Sequence, residues 1–270
     1  MNSESAAERI DTTKPHPARR YDYWLGGKDN FPADRESADA VAEAFPTVRL
    51  AAVENRNFLR RVTRYLAAEA GIRQFLDIGA GLPTAGNVHE IAQGIAPESR
   101  IVYVDNDPIV LVHARTLLNS APEGRTAYLD ADLNDPERIL NHPDLLATLD
   151  MKQPVALMLV AIMHFFTDDR HPYELVRTLC DALPPGSHLV MSHATNDFLE
   201  PEDLAATTEA NKRSGVPFRL RSSAEFAKFF SGYEMVAPGI TAVMEWRPDE
   251  YRAQPRAEAV SMLGGVAQIS

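Results

Sequence analysis

The stretch with the clearest chemistry is Phe75-Leu76-Asp77-Ile78-Gly79-Ala80-Gly81-Leu82-Pro83-Thr84. An apolar run closes on an acid, two glycines one residue apart follow, and a proline leads on. Glycine admits backbone angles closed to other residues and lets a ligand approach the main chain; proline suits the first turn of a helix. A strand passing through glycines into a helix is the nucleotide-facing turn at the carboxyl end of a parallel sheet. The same residues also make a ligand-free turn, so the acids downstream matter. Asp105 closes the apolar run 101–104, a little over twenty residues beyond the glycines, where an acid hydrogen-bonds the two hydroxyls of a ribose. Asp107, just before Pro108, reads instead as a helix cap. In Ala131-Asp132-Leu133 a carboxylate could accept the amino group of adenine while the Leu133 N–H donates to the ring; with Asp130 and Asp135 nearby, Asp132 reads equally as a solvated loop acid. His164 follows the most apolar run of the chain, 155–160, at the mouth of the sheet where a general base would stand. Set beside Phe165 and Phe166, it also fits a packed structural histidine, the commoner outcome.

These features suit adenosine, in a dinucleotide or in S-adenosylmethionine (SAM), and two residues separate the cofactors. A dinucleotide fingerprint wants a third glycine for close helix–strand packing beside the pyrophosphate, and that position holds Thr84. Asp77 would repel a pyrophosphate but can hold a methionine ammonium. The acid-x-Gly-x-Gly turn therefore favours SAM.

The elements that must position these residues alternate. Strands are expected at 75–79, 101–105, 126–130, 155–160 and 187–192, and helices at 84–93, 108–118, 172–183, 201–213 and 222–230. That order implies right-handed parallel crossovers and a doubly wound α/β sheet. Segments 233–237 and 241–246, joined by Pro238-Gly239, read as a closing hairpin, hence with an antiparallel strand. Upstream, 33–45 and 47–70 read as helices split by Pro46. The second carries an apolar stripe of Val53, Phe58, Leu59, Val62 and Leu66 and a polar side of Asn55, Arg56, Arg60, Arg61 and Arg64. Arg56 could reach a ligand carboxylate or stand in solvent.

The 270 residues carry a formal charge of −11, which argues against a general nucleic-acid surface, and 45% hydrophobic residues, enough for a sizeable core. Cys180 is the only cysteine, which excludes an intrachain disulfide and a cysteine-based metal cluster. No apolar run approaches a membrane span, and the polar N-terminal stretch lacks a signal-peptide core, so a cytoplasmic protein is expected.

The glycine turn, Tyr103-Val104-Asp105-Asn106-Asp107-Pro108, Ala131-Asp132-Leu133 and Glu245-Trp246-Arg247-Pro248 resemble a class I SAM-dependent methyltransferase. Tyr21-Asp22-Tyr23-Trp24-Leu25-Gly26-Gly27-Lys28-Asp29-Asn30-Phe31 closely resembles the signature of an actinobacterial SAM methyltransferase family, formerly a domain of unknown function. Without that resemblance this segment reads as a helix–turn–helix hairpin that only covers the domain. The resemblance runs from about residue 16 to residue 250. It implies a Rossmann-like seven-stranded sheet of order 3-2-1-4-5-7-6, strand 7 antiparallel, under an N-terminal helical cap. It also implies ligand roles for Tyr21, Gly27, Lys28 and Asn30.

The resulting expectation is a disordered stretch at 1–15, a cap at 16–70, a SAM-binding core at 71–250 and a tail at 251–270. Cofactor contacts fall to Tyr21, Gly27, Lys28, Asn30, Arg56, Asp77, Gly79, Ala80, Gly81, Asp105, Asn106, Asp132 and Leu133. His164 is the candidate base and no metal is expected. The methyl acceptor is expected to be a small molecule, with neither nucleic acid nor membrane as partner; the oligomeric state is open. A SAM-binding regulator without turnover and a nicotinamide-dependent oxidoreductase are the alternative functions.

Overall fold

The computed structural model describes residues 10–117, 120–249 and 252–270. Three helices, α1 (Pro17–Trp24), α2 (Pro32–Ala44) and α3 (Val48–Ala68), precede the sheet. Then the chain alternates: β1 (Gln74–Ile78), α4 (Val88–Ile95), β2 (Arg100–Asp105), α5 (Pro108–Leu117), β3 (Arg125–Asp130), the short α6 (Pro136–Leu140) and α7 (Pro143–Thr148), β4 (Ala156–Val160), α8 (Pro172–Asp181) and β5 (His188–Ala194). The last part holds α9 (Pro201–Arg213), α10 (Ser223–Ala227), β6 (Glu234–Met235), β7 (Thr241–Ala242) and β8 (Met262–Gln268).

Strands β1 to β5 are parallel in the order β3-β2-β1-β4-β5, as crossovers through helices require. The apolar residues of β1 and β4 are buried on both faces, as central parallel strands must be. Beyond β5 the order continues β8-β6, and β8 is antiparallel to β5, β6 and β7. The sheet thus has eight strands in place of the expected seven, and the expected order holds with two corrections. The antiparallel strand is Met262–Gln268, from the segment expected as a tail; 241–246 is not that strand. Nor is there a 233–237/241–246 hairpin: β6 and β7 are two residues each and both pair with β8.

Glycines explain the displacement. A Cβ on Gly264 would lie 2.8 Å from the Phe58 ring, so α3 packs on β8 only because that side chain is absent. The buried face of α3 is Ala51, Ala52, Asn55, Phe58, Leu59, Val62 and Leu66. Each fully buried Phe or Leu there contributes about 1.5–3 kcal/mol, which holds the helix on the sheet. Val53, expected on this stripe, lies off it and is 40% exposed. Asn55 and Arg61, expected on the polar side, are buried; Arg61 donates from Nε to Trp246 O (2.9 Å) and from Nη2 to Val243 O (2.7 Å).

Helix α4 starts at Val88, later than expected, and Pro83 stands outside it. Glu90 supplies the reason: its Oε2 accepts from the N–H groups of Gly86 (2.6 Å) and Asn87 (3.2 Å), which sets the first turn there. The expected disorder over 1–15 lies partly outside the described residues. Within them, Ile10 packs beside Leu82, Ile109 and Val110, and the carbonyls of Asp11 and Lys14 accept from Arg19, so 10–15 are tied to the fold. No helix among the described residues is long and apolar enough to cross a membrane.

Candidate active site

At the carboxyl ends of β1 to β4 a cavity of about 410 Å³ opens beneath α1, α2 and α3. Its floor is the glycine turn. Gly79 has φ +76° and donates to Val104 O at 2.8 Å; a Cβ there would meet Ile162 at 2.7 Å. Gly81 has φ +67° with open space where a side chain would stand, so its backbone faces the cavity.

Asp105, at the end of β2, is held from both sides. Oδ2 accepts the Gly81 N–H at 2.8 Å and Oδ1 the Asp107 N–H at 2.9 Å. Burial raises its pKa against these contacts. Asp107 has a different role. It accepts the Ile109 N–H (3.2 Å) at the start of α5, and its Oδ2 lies 3.0 Å from His16 Nδ1 and 3.0 Å from Arg19 Nε. It caps one helix and ties α1 to the sheet, away from the cavity wall.

Asp77 is buried in the wall. Desolvation lifts its pKa to about 7; Arg56 pulls it down and Asp105 pushes it up. Arg56 does not stand in solvent. Its Nη2 donates to Asn87 Oδ1 at 2.8 Å and its Nε is buried without a partner. A carboxylate beside an arginine with a free N–H is the complement of an amino-acid zwitterion. Asp132 sits at the rim, its Oδ1 accepting from Asn134 N (2.8 Å) and Nδ2 (2.7 Å) and its Oδ2 from Asn106 Nδ2 (3.2 Å); Leu133 is buried beside it. It is a loop acid in an Asx turn that also borders the cavity.

Tyr21 reaches the cavity from α1. Its hydroxyl donates to Ala52 O (2.9 Å) and accepts from Asn55 Nδ2 (2.9 Å), while Asn55 Oδ1 accepts from Ser192 Oγ (2.5 Å) on β5. Ser192 Oγ accepts the N–H of Ala161, which has φ +56° just beyond β4, a conformation that costs a non-glycine residue energy and recurs at functional sites. One hydrogen-bonded chain thus joins cap, α3 and the ends of two strands.

His164 lies on the cavity wall in a short turn after β4, with ring centroids 4.3 Å from Phe165 and 4.7 Å from Phe218. Its pKa is held well below the ordinary value by burial, and further by His193, Arg20 and Arg221. Nδ1 accepts the Ala194 N–H at 3.4 Å, which leaves the proton of the neutral ring on Nε2. Such a ring donates a hydrogen bond and is a weak base.

The structure therefore gathers Tyr21, Arg56, Asp77, Gly79, Ala80, Gly81, Asp105, Asn106, Asp132, Leu133 and His164 around one cavity. It does not bring Gly27, Lys28 or Asn30 there. Gly27 makes room for Asp22: a Cβ would fall 1.9 Å from Asp22 Oδ1. Asn30 donates to the same carboxylate at 2.8 Å, and Lys28 is exposed. These three build the turn after α1. Arg20, Thr207, Asn211 and Phe218 also line the cavity and escape sequence reasoning, because what faces them comes from distant segments.

The residues present have the chemistry that SAM would need: buried acids, an arginine with an unpartnered N–H and an open glycine backbone. Comparison with known proteins agrees. A family model described as S-adenosyl methyltransferase matches residues 3–270. A DUF574 family protein from Streptomyces avermitilis is 49% identical and superposes with a TM-score of 0.93, covering 97% of this chain and 100% of that one. A candidate methyltransferase from Thermobifida fusca is 40% identical with a TM-score of 0.88, covering 96% of each chain. A plantazolicin methyltransferase crystallised with a triazolic desmethylPZN analogue and S-adenosylhomocysteine (SAH) shares the fold at 11% identity, TM-score 0.50, covering 99% of this chain and 97% of that one. No curated protein matches the sequence. The chain belongs to the S-adenosyl methyltransferase family, the family of actinobacterial proteins that its N-terminal signature resembles, and is a SAM-dependent methyltransferase of Rossmann-like fold.

Proposed function

We propose that this methyltransferase acts on a small-molecule acceptor held in the part of the cavity beneath the cap. The observation that carries the reading is continuity. The cavity runs from the strand-end acids into a chamber walled by Trp24, Phe45, Phe165, Val216, Phe218 and Leu220. Helices and loops surround that chamber, and its apolar lining is that of small-molecule sites. SAM supplies a sulfonium-bound methyl group open to in-line attack by an O, N or C nucleophile.

The protein's part is binding and exclusion. Asp77 and Arg56 would hold the ammonium and carboxylate of the methionine part, Asp105 the ribose hydroxyls, and Asp132 with the Leu133 N–H the adenine. The aromatic walls displace water from the reacting groups, and fixing two reactants side by side can supply roughly 7–11 kcal/mol at best. His164 would orient an acceptor oxygen or nitrogen by donating from Nε2, a positioning role in place of the expected base. The weak basicity of His164 favours an acceptor already nucleophilic near neutral pH. The buried Cys180, unsuited to pairing, accords with a reducing cytoplasmic setting.

Incubating the protein with methyl-labelled SAM and a cell extract, then separating the ultrafiltrate from proteins and nucleic acids, tests this. Enzyme-dependent label should appear in the ultrafiltrate. Label that accumulates in the macromolecular fraction alone refutes a small-molecule acceptor.

A further inference from the structure

The chamber beneath the cap carries a charge that the protein does not answer. Arg20, on α1, is 1% exposed. Among the described residues its guanidinium makes one hydrogen bond, Nη1 to Ser214 Oγ at 3.2 Å, and forms no ion pair within 4.0 Å; Nε is buried without a partner. Its sequence neighbour Arg19 shows the usual solution, with Asp107 at 3.0 Å, Asp34 at 3.5 Å and the carbonyls of Asp11 and Lys14. Burying a cation is costly unless another group compensates it. Desolvation lowers the Arg20 pKa to about 10, with Asp34 acting the other way, so the group remains charged near neutral pH.

The surroundings point to what would compensate it. Arg20 lines the cavity, and its guanidinium carbon lies 5.1 Å from the Trp24 ring. Helix α9 contributes Thr207 and Asn211, one turn apart, to the cavity lining, and Thr207 Oγ1 and Asn211 Oδ1 are buried without partners. The acids that line the cavity, Asp77, Asp105 and Asp132, all stand at the ends of β1 to β3, in the part assigned to SAM. No acidic side chain faces the chamber among the described residues. A positive, planar, under-bonded donor beside aromatic walls, with a hydroxyl and an amide oxygen waiting, is the complement of an aromatic carboxylate.

We propose that the methyl acceptor is a small carboxylic acid with a flat apolar body, and that Arg20 receives its carboxylate while Thr207 and Asn211 bond its remaining polar groups. This rests on the chamber being the acceptor site. Arg20 acts as a specificity-determining residue. It fixes which end of the acceptor points to α9 and so which atom is left facing the methyl donor.

Calorimetric titration of the full-length protein saturated with SAH tests the proposal with matched probes, 2-naphthoate against 2-naphthamide and indole-3-acetate against indole-3-acetamide. At least one acid should bind ten or more times tighter than its amide. Arg20→Gln should abolish that preference while leaving the SAH Kd within about twofold, and Arg20→Lys should keep part of it. Equal binding of acid and amide, failure of both acids to bind the SAH-loaded protein, or an undiminished preference in Arg20→Gln overturns the proposal. If Arg20→Gln does not fold, Thr207→Val takes its place, and an unchanged acid Kd in that variant overturns the proposal. SAH binding itself and the label-partition experiment report separately on the cofactor and on the small-molecule reading.

Discussion

Asp77 allows a quantitative test of the methionine end of the site. On the proposed reading its carboxyl is ionised when it holds the cofactor's ammonium, yet burial lifts its pKa to about 7 in the free protein. The charged fraction is then about nine-tenths at pH 8 and about one-eleventh at pH 6. Ligand that binds only the charged form loses about tenfold in affinity between those values, roughly 1.4 kcal/mol. SAH titrations from pH 5.5 to 8 should show that slope below pH 7 and a plateau above it. Below pH 7, binding should also release a proton, which buffers of different ionisation enthalpy detect. Asp77→Asn should flatten the profile at weakened affinity. The sign for stability is opposite. A carboxyl raised above its unfolded value of 3.8 costs the fold stability as pH rises through that interval to about 7. Asp77→Asn should therefore raise the melting temperature of the ligand-free protein at pH 8 and do little near pH 4. A flat SAH profile in the wild type, or the same slope in Asp77→Asn, would refute the assignment of Asp77 to the ammonium.

The remaining predictions separate binding residues from structural ones. Asp105→Asn should cost on the order of 1.5–3 kcal/mol of SAH affinity, measured by calorimetry, because it weakens a charge-assisted contact whose carboxylate is already fixed by two N–H groups. Asp107→Ala should instead destabilise by about 2.5–4 kcal/mol in urea unfolding, since it removes a cap and leaves buried Arg19 short of a partner. That loss should depend on pH. Burial opposes the His16 charge, but Asp107 outweighs it and raises the His16 pKa, while Asp107 itself is lowered by His16 and Arg19 in spite of burial. The His16 contribution is complete below its ordinary 6.5 and fades as pH rises through the raised value; the Asp107 contribution fades only as pH falls below 3.8. The penalty of Asp107→Ala should thus be larger at pH 5.5 than at pH 8.5. Lys28→Ala should leave SAH affinity unchanged, whereas Gly27→Ala should lower stability by about 1–3 kcal/mol, because its Cβ would displace the Asp22 carboxylate.

The parallel half of the molecule is legible in the sequence because its signals are local. Runs such as Ala156–Val160 are apolar through both faces, and acids and glycines mark where each strand leaves the sheet. Asp77, Gly79, Gly81, Asp105 and Asp132 sit at strand ends for that reason. Strand β8 is illegible for the opposite reason. The segment is expected as a tail, yet Gly264 and Gly265 lie mid-strand, where a Cβ on the first would meet Phe58 at 2.8 Å and one on the second would meet Ile240, Met235 and Phe230 at 3.2–3.3 Å. That need exists only once distant elements have packed. In 21–31 Lys28, Gly27 and Asn30 carry donor chemistry suited to a ligand, and their place is set by local contacts that composition does not show: Asp22 accepts from Asn30 and fills the space beside Gly27.

Buried arginines show how far that limit reaches. Arg19, Arg20, Arg61 and Arg221 are all buried, and nothing in their local sequence tells them apart. Arg61 is answered by carbonyls at 243 and 246, and so pins the turn after β7. Arg221 donates to Met163 O, Phe166 O and Asp168 Oδ1, fixing the segment after β4 that carries His164. Arg19 draws on Asp107 and Asp34 and anchors the cap. In these three the guanidinium's several donors meet several acceptors within the fold, so each charge is spent on holding a wall in place. Arg20 shares the helix with Arg19 but points the other way, and the fold offers it one hydroxyl. A cavity whose walls are fixed by arginines that each meet several acceptors, with the under-bonded Arg20 and Arg56 in its lining, has its rigid parts and its recognition elements made from the same residue type. The distinction between them is the count of acceptors each one finds, and that count exists only after folding.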